Sequence, residues 1–394
     1  MSDHYDVVVI GAGPAGLMAG LEAVKRGASV LMLEKDERIG IPLNCAEGVT
    51  KLSLEELIDV KDHWIKAHPT RGRLISPSGF AFELHHLKGG YVLDRPRMEQ
   101  DLADEFVRLG GVLQVNCRAE RLVATNSAFD RLELNKGEKT NGTISAKVFV
   151  AADGVEGTIS RLAGIDNRLN LDETESYLQY HISGVDFDQE TIEFHVGSDV
   201  APGSYAWVFP NGKGKVAIGA GVRCHEVPSG EARRRLERFV ARRFGGGEVT
   251  HTSCGTSPRY GGERLLAVKN LLVAGDAARV LDSLTGAGIT NAMLSGKIAG
   301  AAAAAYADGE VASFEALHSI YPGEFLQAKQ SELSRLLEIK RFVAKLSDDE
   351  FDDVVAGMAD YFGSGPVESI NILAVLAGIV KARPRILKLA RHLL

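Results

Sequence analysis

The chain has 394 residues, 25% of them charged and 45% hydrophobic, with a formal net charge of −7. That length predicts two to three domains around a large core. The composition excludes a disordered or fibrous chain, and the acidic balance excludes a general nucleic-acid binder. Four cysteines, Cys45, Cys117, Cys224 and Cys254, stand apart with no CxxC pair, and no HExxH occurs. Neither a disulfide framework nor a metal site is expected.

In chain order, Tyr5 to Ile10 reads as a buried parallel strand, Gly11 to Gly16 as a glycine turn, and Leu17 to Gly27 as a helix. Ala28 to Glu34 completes a βαβ unit. Lys51 to Lys66 reads as a helix, and Arg71 to Val92 as a small sheet. Arg97 to Leu109 reads as an amphipathic helix, followed by short strands at Val112 to Cys117, Arg121 to Ala124, Arg131 to Leu134 and Val148 to Ala152. Period-two alternation from Ser176 to Val222 predicts an antiparallel sheet. Glu231 to Phe244 is a basic-faced helix, Leu271 to Ala274 a buried strand, and Ile289 to Ala307 an Ala-rich helix with more helix beyond. Acidic Asp3 and Asp6 stand where a signal peptide would be basic. The longest aliphatic run, Ile370 to Val380, is shorter than the ~20 residues of a spanning helix. The expectation is a cytoplasmic protein.

Three segments carry the chemistry. Gly11-Ala12-Gly13-Pro14-Ala15-Gly16 matches GxGxxG between a strand and a helix. Gly11 permits the tight turn, Gly13 lets a pyrophosphate approach the backbone, and Gly16 lets the helix pack closely on the strand. Glu34 ends the second strand, where a carboxylate accepts bonds from a ribose. Asp276 leaves the Leu271 strand beside Gly275, placed to accept bonds from ribityl hydroxyls. Gly286-Ala287-Gly288-Ile289 then opens a helix whose N–H groups suit an electron-rich ring.

The Gly275-Asp276 pairing resembles the closing motif of the FAD-dependent monooxygenase-like superfamily, as does Asp153-Gly154 with Ser160 and Arg161. Asn44-Cys45-Ala46-Glu47-Gly48 and the complete PxxYxWxFP match from Pro202 to Pro210 resemble the geranylgeranyl reductase family, most closely its archaeal lipid-saturating members. Leu43-Asn44 departs from the usual basic residue before the cysteine. The resemblance implies an α/β fold in which a Rossmann-like FAD-binding domain carries an inserted antiparallel-sheet substrate domain and a helical C-terminal region. The expected spans are 1–70, 95–170 and 265–310 for the FAD domain, 71–94 and 171–264 for the sheet, and 311–394 for the helical region. It also implies FAD as cofactor, contacted by Gly11, Gly13, Ala15, Gly16, Glu34, Cys45, Ala46, Gly48, Arg95, Ala119, Asp276, Gly288 and Ile289. The candidate catalytic residues are Cys45, Tyr205 and Trp207.

Tyr205, Trp207 and Phe209 alternate, so they share one strand face and make a broad apolar wall. The expected activity is saturation of C=C bonds in geranylgeranyl chains of archaeal-type lipids, with a prenyl lipid as substrate. Ferredoxin, a reduced deazaflavin and NAD(P)H are candidate electron donors. A flavin-dependent aromatic hydroxylase and a non-catalytic prenyl carrier are the alternatives. Lys381 to Leu394 carries five basic residues and no acidic one, a candidate peripheral contact with an anionic membrane.

Overall fold

A computed structural model describes residues 4–86, 88–125, 127–135, 142–169, 174–224, 228, 230–258, 260, 265–363 and 366–367. The chain forms two compact units. The first comprises Met1–Leu43, Arg95–Leu169 and Pro258–Leu336; the second comprises Asn44–Asp94, Asn170–Ser257 and Leu337–Leu394. Residues 44–70, expected with the cofactor domain, therefore group with the sheet unit. The region 311–394, expected as one helical body, is divided after Leu336.

The first unit is built on five parallel strands in the order Leu271–Val273, Gly142–Ala151, His4–Ile10, Val30–Leu33 and Val112–Gln114. Val7, Val8 and Val9, like Leu31 and Met32, are fully buried, as strands covered on both faces must be. The chain leaves the central strand His4–Ile10 on one side for Val30–Leu33, and the strand on the other side arrives much later. Strand order therefore reverses at the carboxyl end of His4–Ile10, where doubly wound sheets form their ligand crevice.

Helix Pro14–Lys25 starts at that end, three residues earlier than the sequence suggests, because Pro14 at its first position presets the helical φ. Helix Ile289–Asp308 crosses it without intervening side chains. A Cβ on Gly296 would lie 2.0 Å from the Ala15 carbonyl oxygen, and one on Gly300 would lie 2.2 Å from that of Ala19.

In the second unit one sheet runs in the order Glu248–Pro258, Thr174–Ser183, Lys215–Arg223, Ala206–Pro210, Thr191–His195, Arg71–Ile75, Ala81–His86 and Pro366–Val367. The sequence predicts an antiparallel sheet, yet Thr191–His195 and Arg71–Ile75 pair in parallel, and Pro366–Val367, within the region expected to be helical, pairs in parallel with Ala81–His86. Pairing between distant segments carries no local alternation signal. One face packs Ala206 and Val208 on Leu236, Phe239 and Phe244 of helix Glu231–Phe244. The other face carries Trp207 and Phe209.

The helix expected over Lys51 to Lys66 is limited to Lys51–Glu55. Trp64 is buried in a 3-10 turn and its carbonyl accepts the Asp94 N–H at 2.6 Å. Ile65–Ala67 then joins Gly90–Leu93 and Gly48–Thr50 in a three-stranded sheet, so tertiary pairing overrides the helical pattern. Helices Phe314–Val343 and Asp348–Phe362 follow. The run Ile370 to Val380 and the basic segment Lys381 to Leu394 lie outside the described residues.

Candidate active site

In the first unit the Gly11 loop, Glu34 and the Asp153 and Asp276 turns follow directly on the carboxyl ends of parallel strands His4–Ile10, Val30–Leu33, Gly142–Ala151 and Leu271–Val273. Gly11 has φ +99°, and a Cβ there would stand 2.3 Å from the Ala152 carbonyl oxygen. A Cβ on Gly16 would stand 1.8 Å from the Gly11 carbonyl oxygen. These two glycines serve the fold. Gly13 differs: a Cβ there meets nothing within 4 Å, and its φ of −78° is open to any residue. A residue with a side chain would thus be tolerated there by the protein, and no side chain among the described residues caps the helix N-terminus.

Glu34 fixes the loop from the side. Its Oε2 accepts the Ala12 N–H and its Oε1 the Asp36 N–H, both at 2.9 Å. A carboxylate has about four lone-pair sites, so two remain for a ligand. The Cys117 N–H donates to the Glu34 carbonyl at 2.8 Å, which brings Ala119, at the start of strand Arg118–Thr125, toward the same end.

Asp276 lies in the turn after Leu271–Val273, and no donor among the described residues bonds its carboxylate. Burial pushes its pKa above the ordinary carboxylate value, while the guanidinium groups of Arg95 and Arg279 pull it down. Arg95 is held by Glu99, which accepts from Nε at 2.8 Å and from Nη2. Asp153 accepts the Ile159 N–H at 2.8 Å through Oδ2, and its buried Oδ1 has no partner among the described residues. Gly288 forms the uncapped N-terminus of helix Ile289–Asp308.

Two residues that sequence reasoning missed organise this edge. Arg279 is 2% exposed, with a left-handed φ of +57°. It donates to the carbonyls of Val155, Asp276 and Asn167, tying the Asp153 turn to the Asp276 turn. Glu99 holds Arg95 from a buried position. Only their spacing from the motifs, four residues past Gly275 and four past Arg95, could have flagged them.

The second unit holds the other candidates. Tyr205, Trp207 and Phe209 share a face as predicted, joined by Tyr177 and Phe194, which the alternation of their own strands could have revealed. Ring centroids lie 5.8 Å apart for Tyr205–Trp207, 5.4 Å for Phe194–Tyr205 and 5.6 Å for Phe194–Phe209, all edge-to-face. Gly219 makes room for the indole, since a Cβ there would fall 2.2 Å from it. Cys45, Ala46 and Gly48, counted above with the cofactor contacts, stand in this unit beside the aromatic face. Ala46 packs against that cluster, and a Cβ on Gly48 would press on Phe209 at 2.7 Å. The Cys45 Sγ accepts the Glu47 N–H at 3.2 Å, and Glu47 is ion-paired with Lys66 at 2.6 Å.

A helix terminus with no side-chain cap, the Glu34 carboxylate at the loop and an Asp276 carboxylate with no donor among the described residues fit FAD, whose pyrophosphate would lie at Gly13 and whose ribityl hydroxyls would meet Asp276. The first unit is that of an FAD-dependent oxidoreductase. A family model described as an FAD binding domain matches residues 6–73, and one described as the geranylgeranyl reductase catalytic domain matches 173–256. The chain is 36% identical to a digeranylgeranylglycerophospholipid reductase of Methanosarcina acetivorans, over 98% of this chain and 95% of the relative. It therefore belongs to the digeranylgeranylglycerophospholipid reductase family. A crystal structure of a geranylgeranyl bacteriochlorophyll reductase-like protein from Thermoplasma acidophilum superposes with a TM-score of 0.91 at 29% identity, covering 99% of each chain. A p-nitrophenol 4-monooxygenase from Pseudomonas putida, covering 96% of this chain and 98% of its own, shares the fold at a TM-score of 0.71 and 18% identity.

Proposed function

We propose that this chain saturates the geranylgeranyl chains of a digeranylgeranylglycerophospholipid, with the aromatic face of the second unit as the wall for the prenyl chain. The observation that carries the reading is five aromatic side chains on one sheet face, within the span matched by the reductase catalytic domain. Burial of an isoprenoid against such a face contributes about 0.8 kcal/mol per CH₂, enough to hold a lipid with few polar contacts.

Bound FAD, when reduced, supplies a hydride. An isolated alkene is a poor hydride acceptor, so addition of a proton must accompany the transfer and build tertiary carbocation character. The faces of Tyr205 and Trp207 stabilise that charge by cation–π attraction, about 2 kcal/mol where water is excluded. Cys45, a half-buried thiol on the adjoining loop, Tyr205 and water are the candidate proton sources. His181 is unsuited to that task at neutral pH: burial, with the charges of Lys66 and His251, brings its pKa down to about 4.

Trp207→Ala tests the reading. It should keep FAD, bound in the other unit, and lose lipid reduction; unchanged turnover and product pattern would make the face structural packing. Membrane contact through Lys381, Arg383, Arg385, Lys388 and Arg391 belongs to the same reading. No described helix is long and apolar enough to cross a bilayer. Neutralising these five residues should weaken co-sedimentation with anionic vesicles and its salt dependence, while activity on detergent-dispersed lipid survives. A wild-type chain that never binds such vesicles would remove this contact from the account.

A further inference from the structure

Strand register sets up a cross-strand row in the second unit. Gln179 pairs with Gly219, and Gly219 pairs with Trp207 on the far side. Because Gly219 has no side chain, the indole lies across its backbone and reaches Gln179. The Trp207 Nε1–H donates to the Gln179 Oε1 at 2.9 Å. The Gln179 Nε2 donates to the Cys45 carbonyl at 3.0 Å and lies 3.2 Å from the His181 Nε2. Gln179 is 1% exposed, so its amide has no water to fall back on.

Hydrogen-bond chemistry fixes the polarity of this row. An indole N–H only donates, so the Gln179 oxygen must face Trp207 and its nitrogen must face Cys45 and His181. His181 then accepts at Nε2 and carries its proton on Nδ1. The Asn211 amide lies 3.0 Å from Nδ1 and must turn its oxygen to that proton, which gives the otherwise unpartnered Asn211 Oδ1 a donor. Tyr177, two residues before Gln179 on the same strand face, donates to the Asn44 carbonyl at 2.8 Å. The Cys45 loop thus hangs by consecutive carbonyls from one strand.

We propose that Gln179 is a positioning residue, which places the Cys45 loop against the aromatic face in an orientation dictated by the Trp207 N–H. The proposal rests on the reading above in so far as Cys45 acts in the reaction. Its mechanical content is independent of substrate: no bond joins Trp207 to Cys45, yet changing the indole should loosen the cysteine.

The experiment is site-resolved alkylation of the folded FAD-bound protein by iodoacetamide, followed by mass spectrometry, with Cys117, Cys224 and Cys254 as internal references. Gln179→Glu keeps an acceptor for Trp207 but loses the donor to the Cys45 carbonyl. Trp207→Phe keeps Gln179 but frees its amide to rotate. Each should raise the Cys45 alkylation rate about tenfold, the scale of one lost buried hydrogen bond, with the three references unchanged. A rise at all four thiols marks a variant that has unfolded, and the other variant then decides. On lipid substrate, Gln179→Glu should lower kcat more than it raises KM. Wild-type Cys45 reactivity in the folded variants would overturn the proposal. Raised Cys45 reactivity, with a Cys45→Ser enzyme turning over at the wild-type rate, would uphold the clamp and overturn the assignment of Cys45 to the reaction.

Discussion

The two later glycines of the first loop are separated by what surrounds them. A Cβ at Gly13 would meet nothing within 4 Å, whereas one at Gly16 would meet a backbone oxygen at 1.8 Å. Gly13→Val should therefore leave the thermal unfolding of the apoprotein near wild type and abolish FAD binding. Gly16→Ala should destabilise the fold itself, by about 1–3 kcal/mol or more. Equal flavin occupancy in wild type and Gly13→Val would remove the pyrophosphate from that space. Asp276 makes the opposite trade. Its folded-state pKa is raised, so the folded apoprotein binds a proton more readily than the unfolded chain, and stability falls as pH climbs from the ordinary carboxylate value through the raised one. Asp276→Asn should then raise the melting temperature of the apoprotein at neutral pH while weakening FAD binding, a combination that calorimetry and flavin titration read together. A lowered melting temperature would mean that the carboxylate serves the fold.

Among the elements, the crossing of Pro14–Lys25 and Ile289–Asp308 sets both uncapped termini at one edge. Gly296→Ala would force the helices apart at Ala15, so both stability and flavin affinity should fall, read by melting and by flavin dissociation. A variant with wild-type affinity would show that the crossing does not govern the cradle. The first βαβ unit was legible because its signals are local: a β-branched run, a glycine loop and a second apolar run. The Trp207 face was legible from alternation alone. The segment after Lys51 was not, because Trp64 and Ile65–Ala67 are organised by partners at Gly90–Asp94 that no local pattern announces. Arg279 escaped for a related reason: two of its three acceptors, the Val155 and Asn167 carbonyls, lie more than 100 residues away in sequence.

At the scale of the whole molecule, the chain enters the first unit, leaves at Asn44, returns at Arg95, leaves again after Leu169 and returns at Pro258. The resemblance implies a discontinuous cofactor domain of 1–70, 95–170 and 265–310, which puts the Cys45 segment, next after the Glu34 strand, in that domain. The segment's strand partner Gly90–Leu93 and the Gln179 and Tyr177 bonds instead group it with the second unit. Loss of flavin and loss of lipid chemistry should accordingly separate by unit, with Gly13→Val losing both and Trp207→Ala losing only the second. The most direct test of the central claim is anaerobic incubation of the dithionite-reduced protein with digeranylgeranylglycerophospholipid, read by mass spectrometry of the lipid. The account predicts products heavier by two hydrogens per saturated bond, formed without oxygen and absent with Trp207→Ala. Unaltered lipid from fully reduced, FAD-loaded protein would contradict it.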